Sequence, residues 1–455
     1  MLNATYCTPD LTTFCGLDEL GLTATGQQIT AARAVIECKV IHDDTYCHRC
    51  GAQGTPRDTR IRRLSHAPLG WRPTILAIRV RRYRYATCKH VWVQDTRLVA
   101  EPKAKISRGG LRWALKGIVC QHLSMARVAE SLAVSWNTAN HTVLAEGQRV
   151  LINSPARFDK VSVIGVDEHA WRHTRHGDKY VTVIIDLTPV QEQRGPALLL
   201  DMIQGRSKQV FKSWLQERDP AWRAGVQIVA MDGFTGFKTA AAKELPHAVE
   251  VMDSFHVVKL AGTAAEKARQ RIQHETLGRR GRTKDPLYRA RKTLLTGEEL
   301  LSERGKGQLQ TLFAALGHRV VEATWKVYQR MVAAYRAPSP AAGKILLREL
   351  IHDLTKTFPD SLVEVKSLAS TLTKRARDIL AYFDHLGSSN GQIEAISGRL
   401  EHLRGSALGF RNLANYVARS LLESDGFRPV YTRNCEKPFN HPEASGRRAP
   451  WSPRR

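Results

Sequence analysis

Three acidic residues lie in local sequences that suit metal-dependent chemistry. Asp167 ends an apolar run that starts at Val161, and Asp232 ends a second apolar run that starts at Val226. Glu394 opens a stretch with helical spacing. Carboxylates at the ends of two buried strands and on a later helix suit a pair of divalent cations, which stabilise the attacking and the leaving oxygen of a phosphodiester reaction. Mg²⁺ prefers such oxygen ligands, so we expect two Mg²⁺ ions here, with Mn²⁺ as a substitute.

A mixed sheet must bring these acids together. The apolar runs of residues 161–260 predict a β-β-β-α-β-α-β order, which is the order of a ribonuclease-H-like mixed α/β core. In that order the strands ending at Asp167 and Asp232 are adjacent and central. The predicted strands span 162–166, 180–186, 197–202, 227–231 and 248–252, and the predicted helices span 207–217 and 237–245.

Helical periodicity then runs through residues 261–386 with few β-branched runs. This segment separates Asp232 from Glu394, so we interpret it as a large all-α insertion in the core. The predicted fold class is therefore α+β and multidomain. The predicted parts are a β-rich zinc-binding module at 1–105 with strands at 31–41 and 74–84, a helix-turn-helix domain at 106–155, a core divided between 156–260 and 387–427, the insertion at 261–386, and a basic disordered tail at 428–455.

The chain is strongly basic, with 69 Lys and Arg against 43 Asp and Glu and a formal net charge of +26. Such an excess favours a polyanionic partner, because each neutralised phosphate releases counterions. The charge is also clustered: residues 57–84 contain nine Arg and one acidic residue, and residues 267–292 contain ten basic and two acidic residues. Blocks of one sign are typical of phosphate contacts, so we predict that the partner is nucleic acid.

The segment from Leu123 to Val143 has the spacing of a helix-turn-helix. Ser135 is predicted to cap its second helix, whose first residues would reach the edges of bases. The alternative is a pair of amphipathic helices in a bundle, since the turn contains Ala133 instead of the usual Gly. Together with the basic strand before it, this segment supplies the predicted DNA-binding residues Arg81, Arg82, Arg84, Arg127, Trp136, Asn137 and Asn140.

The cysteines of the N-terminal region have the layout of a small tetrahedral zinc site, a C-x-x-C motif followed by a further cysteine after a strand. The predicted ligands of a structural Zn²⁺ are Cys47, Cys50 and Cys88. Tyr85 stands where a second C-x-x-C would begin, so His90 or Cys38 is the candidate for the fourth ligand. The alternative is a chance C-x-x-C in a reduced, strand-rich domain.

The chain carries no signal for export or for a membrane. No run of about 18 apolar residues is present, so no membrane span is expected. The N-terminus lacks the basic and apolar regions of a secretory signal. Eight Cys in 455 residues are too sparse for a disulfide framework, which is consistent with a reducing compartment. We therefore expect the protein in the cytoplasm.

Taken together, these motifs resemble the ISL-three family of bacterial insertion-sequence transposases, which are of the DDE type. The resemblance covers almost the whole chain. It rests on the knuckle at Cys47 and Cys50, the strand Arg81-Arg-Tyr-Arg-Tyr85, the helix-turn-helix, and the segments Val166-Asp-Glu-His169, Ala230-Met-Asp232, Val251-Met-Asp-Ser-Phe-His-Val-Val-Lys259, Ser389-Asn-Gly-Gln-Ile-Glu394 and Leu408-Gly-Phe-Arg-Asn-Leu413.

The resemblance implies a protein that binds terminal inverted repeats, cleaves DNA at the ends of the element and transfers the 3′-hydroxyl ends to target DNA. It implies that Asp167, Asp232 and Glu394 form the catalytic, metal-binding triad, with Asp253 and His256 beside it. The implied partners are double-stranded DNA and further copies of the chain, in a dimer or larger assembly that handles both ends. The implied location is the bacterial nucleoid.

The sequence also departs from the family pattern. Tyr85 breaks the second C-x-x-C, and Ala395 and Ser397 stand where a Gly and an Asn are usual. Glu401 and Gly405 replace basic residues of the turns that follow. These changes bear on zinc affinity and on DNA contacts, whereas the three acids are intact.

Three other functions are compatible with parts of the sequence. A catalytically inactive, transposase-derived regulator would keep the DNA-binding modules without needing the acids. A structure-specific nuclease would use the same core chemistry without needing two DNA-reading modules. A hydrolytic zinc centre would use Glu168 with His169, His173 and His176, but alternate residues of a strand point to opposite faces and so would not converge.

Overall fold

The computed structural model describes residues 9–172, 174, 178–356, 358–387 and 390–432. The chain divides into two compact units, Met1–Asn153 with Gly426–Arg455 and Ser154–Asp425. None of the helices in the described ranges combines the length and the apolar character that crossing a membrane requires.

The first unit is built on a sheet whose strand order is β1-β2-β4-β3, with β5 beside β4. Strands β2 and β4 are parallel, and the other pairs are antiparallel. The buried side chains of Leu22, Ile36, Leu64, Leu76 and Ile78 form its core. The strands are β1 (Leu22–Ile29), β2 (Ala34–Val40), β3 (Thr55–Leu69), β4 (Arg72–Arg84) and β5 (Val91–Val93).

The sequence predicted β2 and β4 in this unit but not the two long strands beside them. Strand β3 is exposed throughout its first seven residues. It therefore lacks the alternation of apolar and polar residues that marks a half-buried strand. Its pairing with β4, from Thr55 opposite Arg84 to Leu69 opposite Arg72, is what makes it a strand.

Helices α1 (Leu11–Phe14), α2 (Arg108–Gln121), α3 (Met125–Ser131) and α4 (Trp136–Gly147) complete the first unit. Ser135 caps α4 as predicted, since its side chain accepts a hydrogen bond from the backbone N–H of Thr138. In the turn before it, Ala133 adopts a left-handed φ of 49°, the conformation that a Gly usually supplies. Shorter helical segments lie at Asp18–Leu20, Gln148–Ile152 and Arg428–Thr432.

The last of these segments falls in the region for which the sequence predicted a disordered tail. Arg428–Thr432 instead form a short helix that contacts α2. The rest of the predicted tail, residues 433–455, lies outside the described residues.

The second unit contains a mixed sheet with the strand order β10-β9-β6-β7-β8. Strand β9 pairs in parallel with β6 and β10, and β7 pairs antiparallel with β6 and β8. The strands are β6 (Val163–Ala170), β7 (Tyr180–Asp186), β8 (Leu198–Gln204), β9 (Ile228–Met231) and β10 (Val249–Met252). The short, fully buried β9 fits a central parallel strand.

All five strands of this sheet lie where the sequence predicted them, with one correction. Strand β6 does not end before Asp167 but continues to Ala170, because it stays paired with β7 as far as Ala170 opposite Tyr180. One face of the sheet packs on helices α6 and α8 through the buried rings of Phe211, Trp214 and Phe237. The helices on this part are α5 (Thr188–Gln191), α6 (Lys208–Gln216), α7 (Pro220–Gly225) and α8 (Thr235–Glu244).

Between β10 and the region of Glu394, the described residues form helices and turns, as the sequence predicted for 261–386. These helices pack around a separate apolar core to which α9, α12, α13 and α14 all contribute. The helices of this segment are α9 (Ser254–Leu277), α10 (Pro286–Arg289), α11 (Glu303–Phe313), α12 (Arg319–Tyr335), α13 (Pro340–Asp353), α14 (Val363–Lys374) and α15 (Ala376–Ala381), with 3-10 turns at Thr293–Leu295, Glu298–Leu300 and Leu316–His318. Helices α16 (Asn390–Ser406) and α17 (Leu413–Ser424) follow it, and a further 3-10 turn, Pro155–Phe158, precedes β6.

Candidate active site and candidate metal centre

The second unit brings Asp167 and Asp232 to the same end of two adjacent strands. Strands β6 and β9 are parallel, and Val166 pairs with Met231, so the next residue of each strand is an aspartate. Strand β10 is parallel to β9 and in register with it, and Asp253 follows directly after β10. Three acidic residues therefore lie side by side: Asp232 and Asp253 directly follow β9 and β10, and Asp167 directly follows the part of β6 that pairs with β9.

The carboxyl group of Asp167 lies where ionisation is unfavourable without a cation. Burial raises its pKa to about 7, and the negative charges of Asp232, Glu168 and Asp253 act in the same direction. The backbone N–H of Glu168, which donates to Oδ1 at 2.8 Å, lowers the pKa and offsets part of this rise. A bound divalent cation favours the charged carboxylate, so the donor set at this edge of the sheet fits such an ion.

Asp232 is held at the start of the connection between β9 and α8. Its Oδ1 accepts a hydrogen bond from the backbone N–H of Phe234 at 2.8 Å. The intervening Gly233 packs against the ring of His256, and a Cβ at this position would lie 2.6 Å from Nε2 of that ring. A side chain at position 233 would therefore push His256 away from the Asp232 loop.

Asp253 and His256 are joined by the start of α9. Asp253 is almost fully buried and caps the helix, since its Oδ2 accepts a hydrogen bond from the backbone N–H of His256 at 2.7 Å. This cap fixes the first turn of α9, and with it the imidazole beside Gly233. The sequence placed both residues beside the acids through the family resemblance alone.

Glu394 lies on α16 with its side chain exposed. The preceding residue, Ile393, is buried and packs against Gly165 of β6, where a Cβ would lie 2.9 Å from Cδ1 of Ile393. Gly165 precedes Asp167 by two residues, so this close contact sets the first turns of α16 on the strand that carries Asp167. Residues 388–389 of the predicted motif lie outside the described residues.

The three predicted carboxylates do not form one tight cluster of ligand atoms. In the part of the chain that the structure describes, the group of three or more potential ligands with all ligand atoms within 4.8 Å is the cysteine cluster of the first unit. Two-metal sites hold their ions about 3.5–4 Å apart, and a ligand of one ion need not approach a ligand of the other. A two-ion site therefore does not require all three carboxylates at that distance.

Arg375 of the helical insertion holds the loop that follows Asp232, and the sequence gave no sign of this. Its buried guanidinium donates from Nη1 to the carbonyl of Gly233 at 3.1 Å. It also pairs with buried Asp378 at 2.5 Å, and the same carboxylate accepts from Lys238 at 2.7 Å. The sequence gave no signal because Arg375 lies 142 residues from Gly233, in the turn between α14 and α15, and belongs to no local motif.

The described part of the alternative zinc centre, Glu168 with His169, does not converge on one site. His169 is buried, and its Nε2 lies 2.8 Å from the hydroxyl of Tyr416 on α17. Glu168 is exposed on the other face of β6, where Arg206 lies 3.3 Å from its carboxylate. Residues 173 and 176, the other two histidine positions, lie outside the described residues.

The first unit gathers the three predicted zinc ligands into a compact thiol cluster. The Sγ atom of Cys88 lies 3.7 Å from Sγ of Cys47 and 3.5 Å from Sγ of Cys50. Tetrahedral zinc with Zn–S bonds of about 2.3 Å requires S···S separations of about 3.8 Å. The spacing of the thiols therefore fits one thiophilic metal ion.

Neither candidate for the fourth ligand joins this cluster. Cys38 lies in the apolar core of the sheet, where burial raises the pKa of its thiol to about 12, together with the nearby Cys15 and Glu37. The imidazole of His90 instead stacks on the ring of Trp92, with 5.9 Å between ring centroids.

Of the predicted DNA-binding arginines on β4, two form ion pairs with acidic side chains of the same unit. Arg82 is only partly exposed and pairs with Asp58, and Arg81 lies 3.1 Å from Asp43. Arg84 is exposed at the end of β4. The remaining predicted residues lie on α3 and α4: Arg127, Trp136 and Asn137 are exposed, and Asn140 is half-buried.

Comparison with known proteins places this architecture in a family. A family model described as "Transposase", that of the ISL-three group, matches residues 164–420. The transposase for insertion sequence element IS1557 of Mycobacterium tuberculosis is 25% identical over 346 residues, covering 71% of this chain and 72% of that protein. The transposase for insertion sequence element IS1001 of Bordetella parapertussis is 24% identical over 223 residues, covering 48% of this chain and 50% of that protein.

Among solved structures, the chain matches the Drosophila P element transposase strand transfer complex with a TM-score of 0.39 and 10% identity, covering 69% of this chain and 90% of that one. That likeness is too low to add to the assignment. The family model alone spans more than half of the chain, including the three parallel strand ends and α16. This chain therefore belongs to the ISL-three family of insertion-sequence transposases.

Proposed function

We propose that the chain binds the terminal inverted repeats of a bacterial insertion sequence, cleaves the DNA at the ends of the element, and transfers the 3′-hydroxyl ends to target DNA. The observation that carries this proposal is the convergence of Asp167 and Asp232 at adjacent strand ends, with α16 packed on the same strand. The order of the five strands, with β7 antiparallel in an otherwise parallel centre, supports a ribonuclease-H-like core.

Asp167, Asp232 and Glu394 would hold two Mg²⁺ ions, or Mn²⁺ in their place. When bound, the ions supply stabilisation of charge on the attacking and leaving oxygens of the scissile phosphodiester. Asp167 on β6 and Asp232 directly after β9 would anchor the site, whereas Glu394 is exposed on α16 and so accessible to DNA.

His256 and Asp253 would act beside the carboxylates. The ring nitrogen Nε2 of His256 lies next to the backbone of Gly233, within the loop that positions Asp232. From there it can donate a hydrogen bond to a phosphate oxygen or to a metal-binding carboxylate. Asp253 contributes by capping α9 and so fixing the position of that ring.

The first unit would read the DNA. Helices α3 and α4 are separated by a short turn and form the proposed helix-turn-helix, with Trp136 and Asn137 exposed at the start of α4. A cleft of about 340 Å³ beside this turn is lined by Arg63 and Lys105, so basic side chains continue from the sheet to the helix start. This continuity supports phosphate contacts flanking base contacts from α4. The cysteine cluster would bind a structural Zn²⁺ that stabilises the same unit.

The complete assembly would contain at least two copies of the chain on double-stranded DNA, since the two ends of an element must be processed together. The alternative function is that of a catalytically inactive, transposase-derived regulator, which would bind the ends without cutting them.

The experiment is incubation of the purified protein with labelled DNA carrying the element's own ends, in Mg²⁺ and in EDTA. We expect Mg²⁺-dependent cleavage at the ends and joining to target DNA. Asp232→Asn and Glu394→Gln should each reduce cleavage at least roughly a hundredfold, since loss of outer partners of metal ligands already costs about 10–100-fold. Binding to the ends should stay nearly unchanged.

Glu401→Gln is the matched control, because Glu401 lies on the same helix as Glu394 and pairs with Arg404. Its cleavage should remain close to that of the wild-type protein. Cleavage retained by Asp232→Asn would remove that residue from the mechanism. End binding with no cleavage by the wild-type protein under any divalent ion would favour the regulator.

A further inference from the structure

The cysteine cluster of the first unit is surrounded by two turns with matching backbone geometry. We call them the first knuckle, residues 46–53, and the second knuckle, residues 84–91. Both are closed by an antiparallel pair between their first and last residues. In each, the N–H of the second residue donates to the carbonyl of the seventh, at 2.8 Å in the first knuckle and 3.1 Å in the second. In each, the sixth residue is left-handed: Gly51 with φ 72° and Lys89 with φ 55°.

This correspondence shows which position of the second knuckle matches each cysteine of the first. Cys50 and Cys88, which are 38 residues apart, are the fifth residues of their knuckles, and their Sγ atoms lie 3.5 Å from each other. Cys47 is the second residue of the first knuckle, and its Sγ lies 3.7 Å from that of Cys88. The second residue of the second knuckle is Tyr85. Tyr85 therefore stands at the place of a fourth thiolate.

No nearby histidine takes over this place. The ring of His90 stacks on Trp92 with an interplanar angle of 13°, and His48 is held through Nε2 by the carboxylate of Asp44 at 2.8 Å. Throughout the described chain, the ligand group that meets the distance requirement contains the three cysteines without a histidine. Cys50 is exposed, so solvent reaches the cluster.

We propose that Cys47, Cys50 and Cys88 bind one zinc ion through three thiolates and leave its fourth coordination position open to water, because Tyr85 replaces the fourth thiolate. Structural zinc sites are normally closed by four protein ligands, whereas sites with three keep a position for an exogenous ligand. The site therefore binds zinc more weakly than a four-cysteine site and admits small ligands. This inference rests on metal binding by the cysteines within the proposed function, but not on the DNA chemistry.

The test uses the full-length protein loaded with Co²⁺ in place of Zn²⁺ under oxygen-free conditions. Thiolate-to-cobalt absorption grows with the number of coordinated thiolates, so the wild-type protein should show a three-thiolate spectrum. Tyr85→Cys should raise this absorption toward a four-thiolate spectrum and tighten zinc binding, measured by competition with a chromophoric chelator. The gain should be at least roughly tenfold, because even outer partners of ligands change affinity by about 10–100-fold.

Two further variants identify what occupies the fourth position. Tyr85→Phe and His90→Ala should keep the wild-type spectrum and zinc affinity, because neither removes a ligand. Addition of 2-mercaptoethanol should change the cobalt spectrum of the wild-type protein and of Tyr85→Phe by filling the open position. The same addition should leave the spectrum of Tyr85→Cys unchanged. These measurements remain decisive if Tyr85→Cys fails to fold.

Three results would overturn the open position while leaving the zinc assignment intact: a wild-type spectrum insensitive to the added thiol, weaker zinc binding in Tyr85→Phe, or weaker zinc binding in His90→Ala. The last two would identify a protein ligand at the fourth position. Failure of the wild-type protein to bind one Co²⁺ would overturn both this proposal and the zinc assignment. Mg²⁺-dependent cleavage of end DNA is a separate measurement, so a failure here is distinguishable from a failure of the proposed transposition chemistry.

Discussion

At the scale of single residues, Asp167 is the carboxyl group whose ionised form would gain most from a bound cation. Its side chain is half-buried and feels the charges of three further acids, and burial is the main reason why its pKa rises to about 7. The unfolded carboxyl titrates near 3.8. As the pH rises from about 4 to 7, the unfolded chain therefore loses this proton before the folded chain does. Between these values the free energy of unfolding of the metal-free protein should fall.

Asp167→Asn should therefore stabilise the metal-free protein, and more so at high pH. At about 1.4 kcal/mol per pKa unit, the gain in free energy of unfolding should be roughly 1–4 kcal/mol at pH 8 and much smaller at pH 4. Urea unfolding in EDTA at several pH values measures it. Added Mg²⁺ should stabilise the wild-type protein and not the variant. A gain in free energy of unfolding that is independent of pH would show that folding does not raise the pKa of Asp167.

The neighbouring positions of Asp167 and Asp232 could be predicted from the sequence, whereas contacts that depend on the fold could not. The apolar runs before Asp167 and Asp232 indicate buried strands, and parallel pairing then makes the two acids neighbours. Nothing in the sequence indicates that the ring of His256 packs on Gly233, because that contact depends on how α9 leaves β10. The fourth zinc position also needed structure, because His90 is engaged with Trp92, Cys38 lies in the apolar core, and the matching knuckles place Tyr85 opposite Cys47.

At the scale of elements, the helices between β10 and α16 contact the loop that carries Asp232, although they lie far from it in sequence. Arg375 reaches from the helical insertion to the carbonyl of Gly233, and its charge is balanced by buried Asp378. The helical segment between β10 and α16 therefore holds the loop that follows Asp232. Helical periodicity predicted the insertion but not this contact, because periodicity identifies a buried face and not its partner.

Arg375→Lys should lower the rate of DNA cleavage by roughly ten- to a hundredfold, since a shift of about 1 Å in a catalytic group has effects of that size. The affinity for end DNA should change little, because Arg375 is buried and does not face DNA. Single-turnover cleavage rates and end-binding isotherms measure the two effects. Arg377→Lys is the matched control, because Arg377 is exposed two residues further along, in α15, and this variant should cleave normally. An equal loss of cleavage rate in Arg375→Lys and Arg377→Lys would show that Arg375 has no specific role in positioning the Asp232 loop.

Two local features could not be predicted from the sequence. Strand β3 has exposed, arginine-rich residues in its first half and becomes a strand through its partner β4, so a tertiary contact overrides local propensity there. The turn before α4 has no glycine, yet Ala133 adopts the left-handed conformation there.

At the scale of the whole molecule, the net charge of +26 makes DNA affinity dependent on salt. The basic residues differ in whether an acidic side chain already neutralises their charge. Arg84 is exposed, whereas Arg82 pairs with Asp58 and is partly buried. The two residues are close in sequence and equal in charge, so they form a matched pair.

Arg84→Ala should weaken binding to all DNA sequences and reduce the slope of log K against log salt by about 1, as expected for one lost phosphate contact. Arg82→Ala should change the slope less, because Asp58 already neutralises that side chain. Binding isotherms at several salt concentrations give both slopes. A larger change for Arg82 would mean that its pairing with Asp58 breaks when DNA binds.

We propose that Asp167, Asp232 and Glu394 hold one pair of metal ions on end DNA. Iron-directed backbone cleavage examines this arrangement: Fe²⁺ replaces Mg²⁺ in the protein–DNA complex, and ascorbate with peroxide then cuts the chain close to the bound ion. We expect cuts near all three residues, and their joint loss in Asp232→Asn. Cuts near Asp167 and Asp232 with none near Glu394 would show that Glu394 does not hold the ions.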